Sequence, residues 1–229
     1  MLKKYYSKVL CLCYNTLYAD TLRLREAYLR NVSFNVCKGN NLKLSLTTVQ
    51  NTKFRIYGNN NRCVIERSPV GINGCSIMID GTENSLTIDE GAHIRNTNIT
   101  IHGTGCNVHI GSSFSMNSGM IVCMGCKNYI NIGIDCMFAE NVNVWSTDSH
   151  QITDMRGNVL NRSLPVTIED HVWLGNGSSV LKGVTIGHDS IVGMDSVITK
   201  DLKPNAIYVG NPARLIREAI NWRRNQCEI

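Results

Sequence analysis

The chain has 229 residues, of which 43% are hydrophobic, 18% charged and 7% aromatic, which suits one elongated domain or two small ones. Its formal net charge is +5, with lysine and arginine concentrated towards both ends. Because no basic stripe is interleaved with aromatic residues, the sequence argues against a nucleic-acid-binding protein. Ten cysteines without a cleavable signal pattern favour a reducing compartment, and we expect a cytoplasmic protein.

The first 32 residues have the pattern of an untidy amphipathic helix. Leu10, Leu17 and Leu24 belong to an apolar stripe that neither glycine nor proline interrupts. Lys3 and Lys4 beside this stripe could rest on an anionic membrane surface, although the longest apolar run is too short to span a bilayer. We therefore expect an N-terminal helical segment over residues 1–32. Docking on its own protein is the preferred interpretation, and peripheral contact at the inner face of the membrane is the alternative.

A long repeat follows, in which glycine is spaced by 23, 22 and 22 residues and isoleucine comes seven residues after each glycine. An asparagine stands between the two in each copy, and the third copy has Asn107 one residue out of step. The glycines are Gly58, Gly81, Gly103 and Gly125, and the isoleucines are Ile65, Ile88, Ile110 and Ile132. Such a period fits a three-sided coil of 18 residues with about four more at one corner, where glycine and asparagine tolerate positive φ.

The segment WSTDSHQITDMRGNVLNRSLP, which ends at Pro165, breaks this period. It is polar, carries no repeat and predicts a loop over residues 146–164 that protrudes from the coil. Long loops inside a compact domain are usually functional. We therefore expect the chemistry of the protein to involve this loop.

A strict period of six begins after the loop. An aliphatic residue occupies each sixth position, and glycine directly follows three of them. The aliphatic residues are Ile168, Leu174, Val180, Ile186, Val192 and Ile198. A spacing of six rotates through all faces of an α-helix, whereas it places one residue inside each side of a triangular parallel β-coil. The regular solenoid ends near Lys203, and the helical spacing of residues 212–225 predicts a capping helix.

The fold class predicted from these patterns is an all-β solenoid, a parallel β-helix with an N-terminal α-helix and a short C-terminal capping helix. Its parts are a helical segment at residues 1–32, the β-helix with its loop at 33–203, and a tail with the capping helix at 204–229. About eight or nine coils at ~4.8 Å each would form the rod.

The stretch from Pro165 to Leu202, followed by VGNPARLIR, resembles the C-terminal half of the left-handed β-helix acyltransferases. These are the hexapeptide O-acetyltransferases that modify sugars and bacterial polysaccharides. With the preceding loop, the resemblance covers the chain from about Ile132 to Arg217. It implies a left-handed coil, a homotrimer with active sites between subunits, acetyl-CoA as donor and a sugar in a glycan as acceptor.

His150 is the candidate general base. A sugar hydroxyl that attacks a thioester must lose its proton, and histidine titrates near neutral pH. Asp148 lies two residues earlier and could orient the imidazole, and the pair resembles the D-x-H motif of the family, whose histidine is catalytic. Trp173 is too large for the narrow interior and should point outward. The resemblance places Trp173 at the border of the active site.

The resemblance also implies the donor contacts. Asn176 and Met194, each next to a glycine, would contact the pantetheine arm of coenzyme A. Its phosphates need charged donors. The candidates for them are Lys200, Arg214, Arg217 and, with less support from the pattern, Lys182. Glu140 occupies a position where some sugar acetyltransferases carry an acceptor-binding residue.

Three alternatives remain open at this stage. An N-acyltransferase on an amino sugar or nucleotide sugar would use the same scaffold. A metal enzyme like the γ-class carbonic anhydrases would need three converging histidines; His171 and His188 could stack, but no third histidine has a comparable offset, and no metal is expected. A non-catalytic solenoid would need neither the D-x-H loop nor the tail. Cys123 and Cys126 form an isolated C-x-x-C that indicates neither zinc nor thioredoxin chemistry.

Overall fold

The computed structural model describes residues 22–224, in which every regular element is a β-strand. In chain order the strands are β1 Leu22–Arg25, β2 Tyr28–Arg30, β3 Ser33–Val36, β4 Asn41–Ser45, β5 Thr47–Gln50, β6 Lys53–Ile56, β7 Arg62–Ile65, β8 Ser68–Asn73, β9 Ser76–Thr82, β10 Ser85–Ile88, β11 His93–Arg95, β12 Thr97–Thr104, β13 Asn107–Ile110, β14 Ser115–Met116, β15 Gly119–Cys126, β16 Tyr129–Ile132, β17 Met137–Phe138, β18 Val142–Trp145, β19 Val166–Ile168, β20 Trp173–Leu174, β21 Ser179–Val180, β22 Thr185–Ile186, β23 Ile191–Val192, β24 Val197–Ile198, β25 Ala206–Val209 and β26 Arg214–Glu218.

The strands stack into three sheets, because each strand pairs in parallel with the one that follows it by a full turn of the chain; only β25 and β26, at the end of sheet B, are antiparallel among the described strands. Sheet A has eight strands, in the order β1-β4-β7-β10-β13-β16-β19-β22. Sheet B has ten, in the order β2-β5-β8-β11-β14-β17-β20-β23-β25-β26, and sheet C has eight, in the order β24-β21-β18-β15-β12-β9-β6-β3. A chain that visits A, B and C in rotation is a parallel β-helix of about eight turns, which confirms the predicted solenoid.

The hexapeptide positions form the core of the last turns. Ile168 pairs in register with Ile186, Leu174 with Val192 and Val180 with Ile198, always 18 residues apart. All six are completely buried. Full burial of an aliphatic side chain contributes ~1.5–3 kcal/mol relative to exposure, so these residues make a large contribution to the stability of the stack.

The earlier turns add a buried asparagine ladder at the corner between sheets C and A. The Oδ1 of Asn40 accepts from the backbone N–H of Asn61, and Asn61 and Asn84 repeat the contact with the next coil, each at 2.9 Å. In the third copy the ladder position is Cys106, whose N–H receives the bond from Asn84, while Asn107 is exposed. The one-residue slip at Asn107 that the sequence shows is thereby explained: Cys106 occupies the repeat position, and its small buried thiol takes the place of the amide.

Both predicted helices are wrong where the structure describes them. Leu22 and Leu24 pair in parallel with Leu42 and Leu44 and so begin sheet A, whereas residues 1–21 lie outside the described range. The proposed membrane contact also falls on those residues, and no helix within 22–224 could span a bilayer.

At the other end β26 returns antiparallel along β25 instead of forming a capping helix. A strand succeeds here because β25 would otherwise leave a row of backbone N–H and C=O groups unpaired at the last edge of sheet B. The chain can reverse direction between the two strands at Gly210, whose φ is +103°. The β-helix therefore extends past Lys203, to Val209 in sheet B.

Candidate active site

The loop between β18 and β19 is an ordered hairpin. Thr153 and Val159 form an antiparallel bridge, and the N–H of Leu160 donates to the carbonyl of Ile152 at 2.8 Å. At the tip, Oδ1 of Asp154 accepts from two backbone N–H groups, which is how a short carboxylate stabilises a turn. The predicted protruding loop therefore has a defined shape.

Asn161 joins the two arms of this hairpin. Its Nδ2 donates to Oδ2 of Asp148 and to the carbonyl oxygen of His150, both at 2.8 Å. Its Oδ1 accepts from the N–H of Ile152 at 2.6 Å. One side chain thus fixes the backbone on both sides of the predicted catalytic histidine. Sequence reasoning missed Asn161, because its partners lie 9 to 13 residues away in a segment without periodicity.

His150 is exposed and lies on the wall of a cleft of about 610 Å³. The preceding residue, Ser149, has a φ of +63°, an uncommon value for a non-glycine residue, and it turns the chain immediately before the histidine. The cleft is lined on one side by the loop and on the other by the ends of β12 and β15. The lining residues are His102, Met124, Gly125, Cys126, Thr147, Ser149, His150, Gln151, Val159, Asn161, Arg162 and Ser163.

The carboxylate of Asp148 forms hydrogen bonds with groups other than the imidazole of His150. Its Oδ2 accepts from Nζ of Lys182 and from Asn161. The hydrogen bond from Lys182, followed by that from Asn161, holds the pKa of Asp148 below its usual range. Within residues 22–224 no hydrogen bond reaches the imidazole of His150. Asp148 therefore supports the loop, and Lys182, a predicted phosphate ligand, is already paired.

Trp173 lies on the outer side of sheet B with 36% of its surface exposed, and it packs at a tilt against Trp222, with 5.8 Å between ring centroids. Trp222 stacks in parallel on His171 at 4.1 Å and donates from Nε1 to the His171 carbonyl at 2.8 Å. Trp173 does not line the cleft beside His150. Within one chain the structure therefore keeps these two predicted site residues on different parts of the surface.

The predicted pantetheine contacts share the corner between sheets B and C. Asn176 and Met194 belong to adjacent coils, and the N–H of Asp195 donates to the Asn176 carbonyl at 2.8 Å. Met194 is strongly exposed, at 66%. Glu140 belongs to the same corner one coil earlier, since its carbonyl accepts from Gly177 at 2.9 Å. Glu140 is thus aligned with the predicted donor contacts, and it is absent from the lining of the His150 cleft.

The three remaining predicted phosphate ligands are exposed near the C-terminal end of the rod. Lys200 follows β24, while Arg214 and Arg217 project from β26. Arg214 donates only to the neighbouring carbonyl of Ala213, at 3.2 Å, among the described residues. These side chains are therefore available for an anionic ligand at that end.

His171 and His188 occupy the corner between sheets A and B, on either side of Asp189. Nδ1 of His171 lies 2.8 Å from Oδ1 of Asp189, and Nδ1 of His188 lies 2.7 Å from Oδ2. The bond to Asp189 raises the pKa of His188, and the same bond lowers the pKa of Asp189. Across residues 22–224 no three His, Cys, Asp or Glu side chains are grouped as metal ligands would be. The two histidines therefore share the carboxylate of Asp189, and Nε2 of His171 also lies 3.8 Å from Oδ2 of Asp135.

Sequence reasoning also missed the wall of the cleft opposite the loop. His102 and Cys126 come from β12 and β15, on either side of the glycine column. A signal was present in the repeat, since His102 directly precedes Gly103 and Cys126 directly follows Gly125. The sequence did not reveal that the loop folds back over this corner.

Comparison with known proteins gives the chain a family context. Residues 165–200 match the family described as bacterial transferase hexapeptide (six repeats). The galactoside O-acetyltransferase of Escherichia coli (strain K12) is 36% identical over 115 residues, which are 50% of this chain and 55% of that protein. The chain spans little more than half the length of the first curated relatives it matches, 55 to 57%.

Similar solved structures include two that match this chain over most of its length. The polySia-specific acetyltransferase NeuO superimposes with a TM-score of 0.74 at 29% identity, over 91% of this chain and 92% of that one. The polysialic acid O-acetyltransferase OatWY gives a TM-score of 0.56 at 27% identity, over 87% and 91% of the two chains. The likeness therefore includes the earlier, longer coils as well as the hexapeptide repeats.

Proposed function

We propose that this chain, whose residues 165–200 are bacterial transferase hexapeptide repeats, transfers an acetyl group from acetyl-CoA to a hydroxyl of a sugar in a glycan. The observation that carries the proposal is the position of His150. Its exposed imidazole has no hydrogen-bond partner among residues 22–224 and borders a cleft of about 610 Å³, a size typical of small-molecule sites. The named O-acetyltransferases among its relatives and structural neighbours support the same reaction class.

His150 acts as the general base in this proposal. The imidazole accepts the proton of the acceptor hydroxyl while the hydroxyl oxygen attacks the thioester carbonyl carbon. The new C–O bond forms, the C–S bond breaks, and the imidazolium returns its proton to the departing thiolate. The products are an O-acetylated sugar and coenzyme A. Cys126, which lines the cleft, forms no acyl intermediate in this scheme, because the acceptor attacks the donor directly.

The surrounding residues hold the proposed base in a fixed position. Asn161 holds the backbone at His150 and Ile152, and Asp148 connects that assembly to Lys182 on the next coil. Such pre-organisation matters because small displacements of a catalytic group cost large factors in rate. The role of Asp148 is thus support of the loop, in place of the orientation of the imidazole expected from the D-x-H pattern.

The donor is assigned to a partner-facing surface. We assign the pantetheine arm to the corner of Asn176 and Met194, and the phosphates to Lys200, Arg214 and Arg217. A left-handed coil that assembles as a homotrimer would bring Trp173 of one subunit towards His150 of another, which accounts for their separation within one chain. Light scattering should then give about three times 25.5 kDa.

The test is the pair His150→Ala and His188→Gln, assayed for acetyl-CoA-dependent thiol release with a panel of glycans. A positioned base contributes ~10²–10⁴ in rate, so His150→Ala should lose about that much turnover. Its affinity for coenzyme A and its oligomeric state should match those of the unmodified protein. His188 lies away from the cleft at another corner, so His188→Gln should keep its turnover. Turnover retained by His150→Ala on the best acceptor would contradict the mechanism.

A further inference from the structure

The cleft beside His150 is lined by basic groups and by no carboxylate. Its ionisable lining residues are Arg162, His102, His150 and the thiol Cys126. Two acidic side chains that contact residues of the cleft wall are themselves paired: Oδ2 of Asp80 lies 3.3 Å from Nδ1 of His102, and Asp148 accepts from Lys182 as well as from Asn161. A ligand that enters this cleft therefore meets a guanidinium and two imidazoles without a competing anion.

Arg162 has no partner of its own in this arrangement. Among residues 22–224 it makes neither an ion pair nor a side-chain hydrogen bond, although it is a charged group in a partly enclosed cleft. Its backbone neighbours are fixed, because Asn161 is bonded to both arms of the loop and Oγ of Ser163 donates to Oγ1 of Thr147 at 3.1 Å. The loop thus presents a free guanidinium from a rigid base, close along the wall to the proposed catalytic histidine.

We infer that Arg162 binds a carboxylate on the acceptor, so that the preferred acceptor is a glycan built from acidic sugars. The guanidinium presents a planar pair of N–H donors that matches a carboxylate in two parallel bonds. His102, on the opposite wall, can offer its free Nε2 to the same sugar, since Asp80 engages Nδ1. The inference rests on the proposed acyl transfer and deepens it, because it names the chemical class of the acceptor.

An anionic group of the donor is the competing partner for Arg162. The residues assigned to the donor lie elsewhere, at the corner of Asn176 and Met194 and on β26, and none of them lines this cleft. The reactive end of the donor is a neutral thioester. The acceptor is therefore the substrate that approaches Arg162, and the experiment must separate acceptor effects from donor effects.

The chain offers a matched control in the same loop. Arg156 is also an exposed arginine, but it lies at the hairpin tip, where its N–H donates to Asp154, and it does not line the cleft. The variants are Arg162→Gln, Arg162→Lys and Arg156→Gln. The acceptors are oligosaccharides of hexuronic and sialic acids, each compared with its carboxyl-reduced form, and neutral galactose and maltose oligosaccharides. The measured quantities are kcat/KM for each acceptor and KM for acetyl-CoA.

The unmodified protein should favour a carboxylated acceptor over its reduced form by about 10- to 100-fold in kcat/KM, the factor expected for one hydrogen-bonded charge. Arg162→Gln should remove that preference, with KM for acetyl-CoA unchanged. Arg162→Lys should retain part of it, because the charge stays and the paired geometry is lost. Arg156→Gln should behave like the unmodified protein.

Three outcomes would overturn the inference. The best acceptor could be neutral, Arg162→Gln and Arg156→Gln could discriminate equally well, or Arg162→Gln could raise KM for acetyl-CoA and leave acceptor preference intact. Each of these leaves acyl transfer to a sugar standing. Absence of transfer to every acceptor by the unmodified protein, with acetyl-CoA present, would instead overturn the proposed function and this inference with it.

Discussion

The coils before the loop and the coils after it share one interior and differ at one corner. In sheet C the earlier strands β9, β12 and β15 have 7, 8 and 8 residues, whereas β21 and β24 have two each. The inward-facing residues of both parts are equally buried, since Ile99 and Ile121 are as inaccessible to solvent as Val180 and Ile198. The additional residues of the earlier coils add a second buried side chain to each coil of sheet C, namely Ile79, Ile101 or Cys123, and they extend the corner between sheets C and A.

This difference shows what the longer repeat provides. Its extended corner supplies His102, Met124, Gly125 and Cys126 to the wall of the cleft, and the loop supplies the other wall. The short coils instead supply the flat corner of Asn176 and Met194, which we assign to the donor. Under the proposed function, the earlier half contributes to the acceptor side and the regular half to the donor side.

The largest effect should come from a change that breaks the extended corner itself. A Cβ on Gly103 would lie 1.9 Å from the carbonyl oxygen of Gly125, and the φ of Gly103 is +128°. Gly103→Ala should therefore lower the free energy of unfolding well beyond the ~1–2 kcal/mol that positive φ alone costs a non-glycine residue. Urea unfolding followed by circular dichroism measures the change.

Gly91→Ala is the matched control for that comparison. Its φ is also positive, +76°, but the nearest atom to a new Cβ is 3.5 Å away, an ordinary contact. The free energy of unfolding of Gly91→Ala should therefore fall only by the cost of a positive φ at a non-glycine residue. Equal destabilisation by the two variants would mean that the close approach of successive glycine corners does not limit the stability of the extended coils.

Periodicity was enough to predict most of the fold. The period of six located the buried residues from Ile168 to Ile198, and the period of 22 located the glycine corner, because both repeats are set by local geometry that recurs in every coil. The ends could not be predicted this way. Leu22 and Leu24 suit a helix or a strand, and only the neighbouring coil, through Leu42 and Leu44, decides between them.

The candidate site likewise has one part that the sequence predicted and another that it could not predict. The sequence identified His150 and the loop, since a break in a strong period is itself a signal. It could not give the pairing of Asp148 with Lys182 or the contacts of Asn161, because these depend on how a non-repeating hairpin folds onto the next coil. The far wall at His102 lies 48 residues before His150 and was likewise out of reach of local patterns.

Removal of the clamp within the loop should have an intermediate effect. Asn161→Ala would leave the backbone at His150 and Ile152 and the carboxylate of Asp148 without one partner each. At ~0.5–1.5 kcal/mol for each hydrogen bond, turnover should fall by about 10- to 100-fold if the geometry of His150 depends on them. Steady-state kinetics measures the loss, and the free energy of unfolding in urea should fall by no more than these hydrogen bonds contribute, because the loop is outside the stack.

Asn158→Ala tests whether any damage to the hairpin would suffice. Asn158 donates to Asp154 at the tip, far along the loop from His150, so its loss should change turnover less than twofold. If Asn158→Ala reduced turnover as much as Asn161→Ala did, the order of the whole hairpin, and not the clamp at the histidine, would govern the rate.

The smallest effect on turnover should come from two lysines at equivalent positions of one corner. Lys182 and Lys200 each come two residues after the last residue of a strand in sheet C, β21 and β24 respectively. Lys182 holds Asp148, whereas Lys200 is exposed and assigned to the donor. The Asp148 side chain is 40% exposed, so solvent weakens the pair, and we expect Lys182→Gln to lower turnover by no more than ~5-fold, with KM for acetyl-CoA unchanged. Lys200→Gln should do the reverse and raise KM for acetyl-CoA. Added salt should weaken turnover of the unmodified protein slightly and leave Lys182→Gln unaffected, because only the former has the pair to screen.

The pH dependence of turnover tests the same pair, and the lowered pKa of Asp148 fixes the direction of the expected change. The hydrogen bond from Lys182 lowers the pKa of Asp148, so the contribution of the pair is present above the usual aspartate range and is lost only as pH falls through the lowered pKa. In Lys182→Gln the pair is absent, so Asp148 should begin to take up a proton at higher pH, and the fall of turnover on the acid side should begin nearer the ordinary aspartate value of ~3.9 than in the unmodified protein. A loss of turnover in Lys182→Gln at neutral pH as large as that expected for His150→Ala would show that Asp148 and Lys182 act on the imidazole itself, and the support role assigned to Asp148 would have to be replaced by the orienting role that the sequence suggested.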